Sequence, residues 1–296
     1  MVRYELDTQM LLCKPVLDRL SEKRRYIRPQ FHLYSRLFDI PVCGKLCGYN
    51  ERGENELRIL VVNDDGIRSP GIAALARVAA QLGETYVVAP SEQCSGMSQK
   101  LTLFDDMALR CTDFPVAVAG AWSLGGTPAD CVKVALDHLL DFKPDYIFSG
   151  VNDGWNAGYD IAYSGTIGAC FEAVMNGIPA IAFSAKGRGD LTIAERYMPE
   201  IAAELLERSP GRGEIWNVNF PSGPLSELRG ILRERFIAPM QLYNGVFTAR
   251  QHPEGHTLIS QKGVPVEKGA APAGSDIAAV LDGYISIGKI KSPVMV

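Results

Sequence analysis

The fold is decided by the stretch RILVVNDDG at residues 58–66, a short run of mostly β-branched apolar residues followed directly by polar ones. Such a run, bounded by turn-forming residues, predicts a buried strand at 58–62. Pro70 and the helical spacing of the apolar residues after it predict a helix over 71–82. The stretch therefore begins a strand–loop–helix unit that carries two adjacent carboxylates, Asp64 and Asp65, in its loop.

The same alternation of elements continues along the chain. Further strands are predicted at 85–89, 146–148, 180–183 and 215–218, and further helices from 127 to about 141, at 167–176 and at 193–208. Apolar strands that alternate with amphipathic helices are typical of a parallel sheet with helices on both faces. We therefore predict a doubly wound, mostly parallel α/β domain of the Rossmann-like class over residues 57–221.

Two segments flank this predicted core. Residues 222–296 lose the regular pattern and contain short β-like runs at 257–260 and 284–287, which predicts a C-terminal hairpin or arm that packs on the core or on another subunit. Residues 1–56 show no sustained period and hold 10 Lys and Arg against 8 Asp and Glu. We expect them to be a poorly structured extension, or to precede a true start near Leu57.

The composition excludes several classes of protein. The chain of 296 residues has 47% hydrophobic residues and a net charge of −4, with no apolar run long enough for a membrane span. The negative charge argues against a nucleic-acid polymer as a stable partner. The seven cysteines are irregularly spaced and no secretory signal precedes them, which favours free thiols in the cytoplasm. Cys43 and Cys47 lack the second ligand pair that a zinc site would need.

Polar loops follow three of the predicted strands, at residues 63–66, 90–96 and 149–154. Because ligands bind outside the carboxyl ends of parallel strands, we expect these loops to meet at one rim. Adjacent carboxylates repel each other unless a cation or a donor offsets them. Oxygen ligands of Asp, Ser and Asn suit a hard divalent cation such as Mg²⁺ or Mn²⁺. The alternative is that these residues only cap turns and helices.

A second candidate element is Ser164-Gly165-Thr166, which enters a predicted helix. The N–H groups and the dipole of a helix N-terminus favour an anion, so this segment could hold a phosphate next to the cation. Gly125-Gly126-Thr127, at another predicted helix start, could supply further donors.

The absence of other motifs is also informative. The chain has no G-x-G-x-x-G after the first strand, no P-loop and no G-x-S-x-G elbow, and its adjacent aspartates differ from the D-x-D of haloacid dehalogenase-type phosphatases. The four histidines, at 32, 138, 252 and 256, lie outside the three loops. A Ser-His-Asp hydrolase is therefore disfavoured, and His252 and His256 are expected to be surface residues.

Several ordered motifs together resemble the SurE family of stationary-phase survival proteins. The resemblance covers about residues 57–290 and is carried by the segments at 59–66, 95–96, 126–130, 149–152, 163–166, 217–221, 275–279 and 283–284. It implies a metal-dependent 5′/3′-nucleotidase that hydrolyses nucleoside monophosphates. It also implies a homodimer or homotetramer built partly through the C-terminal arm. One departure is Thr257-Leu258-Ile259-Ser260, where the family often has an aromatic-rich stretch, and this leaves the contacts of the arm open.

The resemblance also assigns roles to residues. It implies one divalent cation per subunit, held by Asp64, Asp65, Ser95 and Asn152. Asp64 and Asp65 are the predicted catalytic residues, one of which orients the attacking water. The predicted phosphate-binding residues are Asn63, Gly96, Ser164, Gly165 and Thr166. The alternative hypothesis is a regulatory protein that binds a nucleotide or a metal without turnover.

Overall fold

The computed structural model describes residues 57–186 and 189–295, and the predictions for residues 1–56 lie outside this part of the chain. The strands are β1 (Arg58–Val62), β2 (Glu84–Pro90), β3 (Leu109–Cys111), β4 (Gly120–Leu124), β5 (Tyr146–Asp153), β6 (Ala180–Ala185), β7 (Glu214–Phe220), β8 (Gly230–Arg235), β9 (Tyr243–Gln251), β10 (Thr257–Pro265) and β11 (Tyr284–Lys291). The helices are α1 (Pro70–Leu82), α2 (Pro128–Val134), α3 (Gly165–Met175), α4 (Thr192–Leu206) and α5 (Asp276–Leu281).

The described residues form a nine-stranded sheet in the order β3-β4-β2-β1-β5-β6-β7-β11-β8. The six strands from β4 to β7 in this order are parallel to one another. At one edge β3 runs antiparallel to β4, and towards the other edge β11 and its parallel neighbour β8 run antiparallel to β7. The chain winds outward in one direction from β1 and in the other from β5, so these neighbours form the switch point at which such sheets bind ligands. The predicted doubly wound α/β class is confirmed.

Both faces of the sheet are covered by helices. Ile59 and Val61 of β1 pack in one apolar cluster with residues of α1 and α4. Leu60 and Val62 point to the opposite face and pack in a second cluster with residues of α2 and α3. Alternate residues of the central strand are thus buried on both faces, which explains why its sequence is a continuous apolar run.

Three of the differences from the predicted bounds concern elements next to the candidate site or within its helices. β5 continues to Asp153 through residues predicted as loop, because Asn152 and Asp153 pair with Ser184 and Ala185 of β6 after a register shift. α3 begins at Gly165, two residues earlier than predicted, because the Ser164 hydroxyl caps it by accepting from the Ile167 N–H. The helix predicted from 127 to about 141 is α2 followed by a π-helical turn at Ala135–Leu139.

The C-terminal region contributes to the sheet as well as to an arm. β8 and β11 are strands of the main sheet, so the sheet extends past the boundary predicted at residue 221. Among the strands of the described residues, β9 and β10 alone lie outside this sheet, as an antiparallel two-stranded hairpin. We call residues 243–265 the hairpin arm. The sequence predicted the β-like run at 284–287, which lies in β11, but it did not predict β8 or show that these two strands join the main sheet.

Candidate functional site

The loops after β1, β2 and β5 meet at the switch point. The Cys94 N–H donates to the Asp64 carbonyl oxygen (2.7 Å), which joins the β2 loop to the β1 loop. The Asp153 N–H donates to Asp65 Oδ2 (2.9 Å), which joins the end of β5 to the β1 loop. The convergence that the strand-end argument predicts is therefore present in the structure.

Asp64 lies almost fully buried at the centre of this junction, with 2% of its surface exposed. The Thr166 hydroxyl of α3 donates to Asp64 Oδ1 (2.7 Å). Burial raises the pKa of Asp64 to about 6, the negative charge of Asp65 adds to the rise, and the Thr166 hydroxyl opposes it. The carboxylate is thus oriented by α3 and held in surroundings that disfavour its charge.

Asp65 is half-buried and its carboxylate connects all three loops. Besides the Asp153 N–H on Oδ2, its Oδ1 accepts from the Gln93 amide (3.4 Å), and the same Gln93 amide donates to Ser95 Oγ (3.2 Å). Burial raises the pKa of Asp65, and the charge of Asp153 adds to this rise. Gln93 therefore links two of the predicted metal ligands, Asp65 and Ser95, through one amide group.

The start of α3 approaches Asp64 very closely. A Cβ added to Gly165 would lie 3.0 Å from Asp64 Cβ and 3.1 Å from Pro128 Cγ, so a side chain here would displace its neighbours. The Thr166 hydroxyl donates its proton to a hydrogen bond with Asp64. The Ser164 hydroxyl instead accepts the capping hydrogen bond, so its proton is still available for donation. Of the two predicted phosphate-binding hydroxyls, that of Ser164 is the one that can still donate.

The remaining predicted site residues occupy different positions around the rim. The Asn152 amide donates to the Gly154 carbonyl (2.8 Å), which leaves the side-chain oxygen of Asn152 as its ligand atom. The Asn63 amide donates to the Gly66 carbonyl (3.0 Å) and to Ser69 Oγ (2.8 Å), so it holds the β1 loop against the start of α1. Gly96 is exposed in a left-handed conformation with φ of +75° and has open space around it.

The donor set of this site fits a divalent cation. Two adjacent carboxylates have raised pKa values, and neither forms an ion pair with a Lys or Arg among residues 57–186 and 189–295. Buried charges are normally paired or bound to a metal. Two carboxylates, a hydroxyl and an amide oxygen are ligands that Mg²⁺ and Mn²⁺ accept. Asp64, Asp65, Ser95 and Asn152 could therefore hold such an ion with water completing the coordination.

A cavity of about 250 Å³ opens beside this group and is bordered by Asp65, Gln93, Asp153 and Asp190. A larger one of about 620 Å³ is bordered by Arg68, Arg110 and Asp113 and includes neither Asp64 nor Asp65. The smaller cavity is the one that Asp65 borders. A substrate group bound there would therefore meet Asp65 directly.

The glycine-rich segment at 125–127 serves the fold of its own helix. The Thr127 N–H donates to Asp130 Oδ2 (2.9 Å), while the Thr127 side chain receives the Asp130 N–H (3.2 Å), which completes a capping box. The Thr127 N–H is therefore committed within α2 and is not free for a phosphate.

The structure adds residues that the sequence reasoning missed. Gln93 orients Asp65 and Ser95, and its place in the β2 loop was the only available signal. Asp153 acts through its backbone N–H, which no residue type reveals. Asn219 and Asp276 belong to motifs whose role becomes clear here. The Asn219 side chain accepts from the Asn156 N–H (2.9 Å) and Asp276 accepts from the Gly158 N–H (2.9 Å), so both fix the segment that leads from β5 to α3.

Comparisons with known proteins show to which family the chain is similar. The family model described as Survival protein SurE matches residues 59–239. The "5'-nucleotidase SurE" of Pelotomaculum thermopropionicum is 35% identical over 78% of this chain and 88% of its own length. That of Moorella thermoacetica is 36% identical over 77% and 88%.

A solved structure shows the same likeness. The crystal structure of the SurE protein from Aquifex aeolicus matches with a TM-score of 0.66 at 34% identity and covers 79% of this chain and 93% of its own. The residues that the family model matches include the three loops and α3. The chain therefore belongs to the SurE family.

Proposed function

We propose that this protein is a divalent-metal-dependent nucleotidase that hydrolyses nucleoside 5′-monophosphates to nucleoside and phosphate, with 3′-monophosphates as a second substrate class to be tested. The observation that carries the proposal is the pair Asp64 and Asp65, which is buried or half-buried at the switch point and lacks a cationic partner among the described residues. The 5′-nucleotidase name of the SurE relatives supports the same activity.

Each group at the rim has a task in this reaction. A cation held by Asp64, Asp65, Ser95 and Asn152 would supply charge that polarises the phosphoryl group and activates water. Asp65, next to the cavity, orients the water that attacks phosphorus. The Ser164 hydroxyl and the start of α3 bind the phosphate oxygens, where the helix dipole favours negative charge. The bond from phosphorus to the sugar oxygen breaks, and the nucleoside leaves with a proton.

The proposal extends to the assembly and the compartment. Val246, Phe247, Ile259 and Val264 of the hairpin arm are exposed apolar side chains. An isolated two-stranded hairpin is marginally stable in water, so a second copy of the chain that covers it explains both features. We therefore propose a homodimer or homotetramer formed through the arm.

We also propose that the protein is cytoplasmic. Cys94, Cys131 and Cys170 are free thiols, which suits the reducing cytoplasm. No helix among the described residues is long and apolar enough to cross a membrane.

The test is phosphate release from a panel of 5′- and 3′-nucleoside monophosphates by the full chain. We expect turnover of AMP with Mg²⁺ or Mn²⁺, none in EDTA, and recovery when the metal is restored. Undiminished turnover in EDTA would contradict the metal dependence. Binding of AMP and Mn²⁺ without phosphate release would instead support the regulatory alternative.

A further inference from the structure

The tip of the hairpin arm brings together two histidines and a carboxylate that the proposed reaction does not use. The three-residue loop Pro253-Glu254-Gly255 closes the arm, and Gly255 adopts φ of +88°, which glycine accepts at no steric cost. The His252 N–H donates to the His256 carbonyl (2.8 Å), so the two histidines are opposite each other across the strands. Side chains opposite each other in an antiparallel pair project to the same face.

The three side chains already face one another. The rings of His252 and His256 are stacked, with centroids 4.3 Å apart and planes 19° from parallel. Glu254 Oε2 lies 3.8 Å from His252 Nδ1. One ligand atom from each of the three residues lies within 4.8 Å of the other two. Nitrogen ligands of a tetrahedral zinc ion are about 3.3 Å apart for Zn–N bonds of about 2.0 Å. Metal binding would therefore have to close these separations by up to about 1.5 Å through side-chain rotation, and a metal on His252 Nδ1 would replace the hydrogen bond that this atom accepts from the Glu254 N–H (3.3 Å).

We propose that His252, Glu254 and His256 form a second metal site, which binds a borderline transition-metal ion such as Zn²⁺. Two imidazoles and one carboxylate suit Zn²⁺, Ni²⁺ or Cu²⁺, whereas Mg²⁺ prefers an all-oxygen set. Three protein ligands leave positions for water or for a donor from another chain. Because the ligands lie on both sides of the turn, the ion ties the two strands of the arm together at its free end.

The experiment is a Zn²⁺ titration of the full chain, stripped of metal and then kept in excess Mg²⁺ so that the oxygen-rich site is filled. A chromophoric chelator reports the free Zn²⁺. We expect one equivalent bound per chain, and binding at least about 100-fold weaker in His252→Asn/His256→Asn, since even outer-shell changes weaken metal sites by about 10–100-fold. His138→Asn, at an exposed histidine on another element, is the matched control and should bind as the wild type does.

Two further readouts keep the result unambiguous. AMP turnover and the melting temperature of the double variant without zinc should equal those of the wild type, because the tip lies outside the sheet. The zinc X-ray absorption spectrum of the 1:1 complex should show two imidazoles and no sulfur. Equal Zn²⁺ affinity of the wild type and the double variant, or sulfur ligation, would overturn the proposal. A failure of the nucleotidase assay would leave the zinc titration unaffected, so the two proposals fail separately.

Discussion

The rim, formed by the loops after β1, β2 and β5, buries charged side chains, whereas the hairpin arm exposes apolar ones. At the rim the carboxylate of Asp64 is buried with 2% of its surface exposed, whereas on the arm Phe247 is 65% exposed. Carboxylates are almost never fully buried unless they are paired, and large apolar side chains are normally inside. We propose a partner for each departure, a cation in the first case and a second chain in the second.

The two regions also differ in how firmly their own contacts hold them. The rim is joined by hydrogen bonds between distant segments, such as that from Thr166 to Asp64, 102 residues apart. The arm is held by the local pairing of β9 with β10. A rigid rim fixes ligand atoms in advance, which catalysis requires. At its base Tyr243 packs against the rest of the protein, but the exposed apolar residues farther along the arm would gain stability from a bound partner.

The largest effect is expected for the carboxylates. Asp64→Asn or Asp65→Asn should lower kcat by about 10³-fold or more, because each substitution removes a negative charge that holds the cation. Removal of a group that stabilises a transition state commonly lowers kcat by a factor of this size. The measurement is AMP hydrolysis in saturating Mn²⁺. Asp137→Asn, at an exposed aspartate of the π-helical turn, is the matched control and should keep wild-type activity. Near-normal turnover by Asp64→Asn would refute the assigned site.

A smaller effect is expected when the link between α3 and the rim is cut. Thr166→Val removes the hydroxyl that lowers the pKa of Asp64, so this pKa should rise further. The acidic limb of kcat/KM should then move to higher pH, and a rise of about one pKa unit would give about a fivefold loss at pH 6 that approaches about tenfold at lower pH. Thr166→Ser should restore the wild-type profile. If Thr166 instead bound the phosphate directly, KM would rise at all pH values and the limb would stay in place.

The arm is expected to affect assembly more than chemistry. Phe247→Lys should shift the protein from an oligomer towards a monomer, measured by light scattering after size exclusion, because a charge replaces an apolar contact. Leu225→Lys changes another exposed apolar residue, outside the arm, and should leave the oligomer intact. A monomeric wild type, or equal dissociation of both variants, would argue against assembly through the arm.

Much of the rim was predictable from the sequence, because it depends on local pattern. The apolar run of β1 and the polar loops after β1, β2 and β5 fixed which side chains would meet, since parallel strands end at one edge. What could not be predicted acts through tertiary contact. The use of the Thr166 hydroxyl on Asp64 and of the Asp153 N–H on Asp65 depends on distances that no local pattern encodes.

The C-terminal region was less predictable for a different reason. β8 and β11 complete an edge of the sheet next to β7, but their segments lie among Gly and Pro residues and far from their partners along the chain. Strand pairing of this kind is set by packing more than by intrinsic preference. The sequence also could not predict that His252 lies opposite His256, because this depends on the register of the hairpin.

The central claim is that the rim holds ionised carboxylates for a cation, at a cost in the stability of the metal-free chain. Because the folded pKa of Asp64, about 6, exceeds the unfolded value of 3.8, stability due to this group is present below pH 3.8 and is lost as pH rises through 6. At pH 8 this loss is about 3 kcal/mol.

The measurement that tests the claim most directly is thermal unfolding of wild type and Asp64→Asn at pH 8, in EDTA and in Mn²⁺. We expect Asp64→Asn to melt higher than the wild type in EDTA, and Mn²⁺ to stabilise only the wild type. Equal stabilisation of both proteins by Mn²⁺, together with a lower melting temperature of Asp64→Asn in EDTA, would contradict the account.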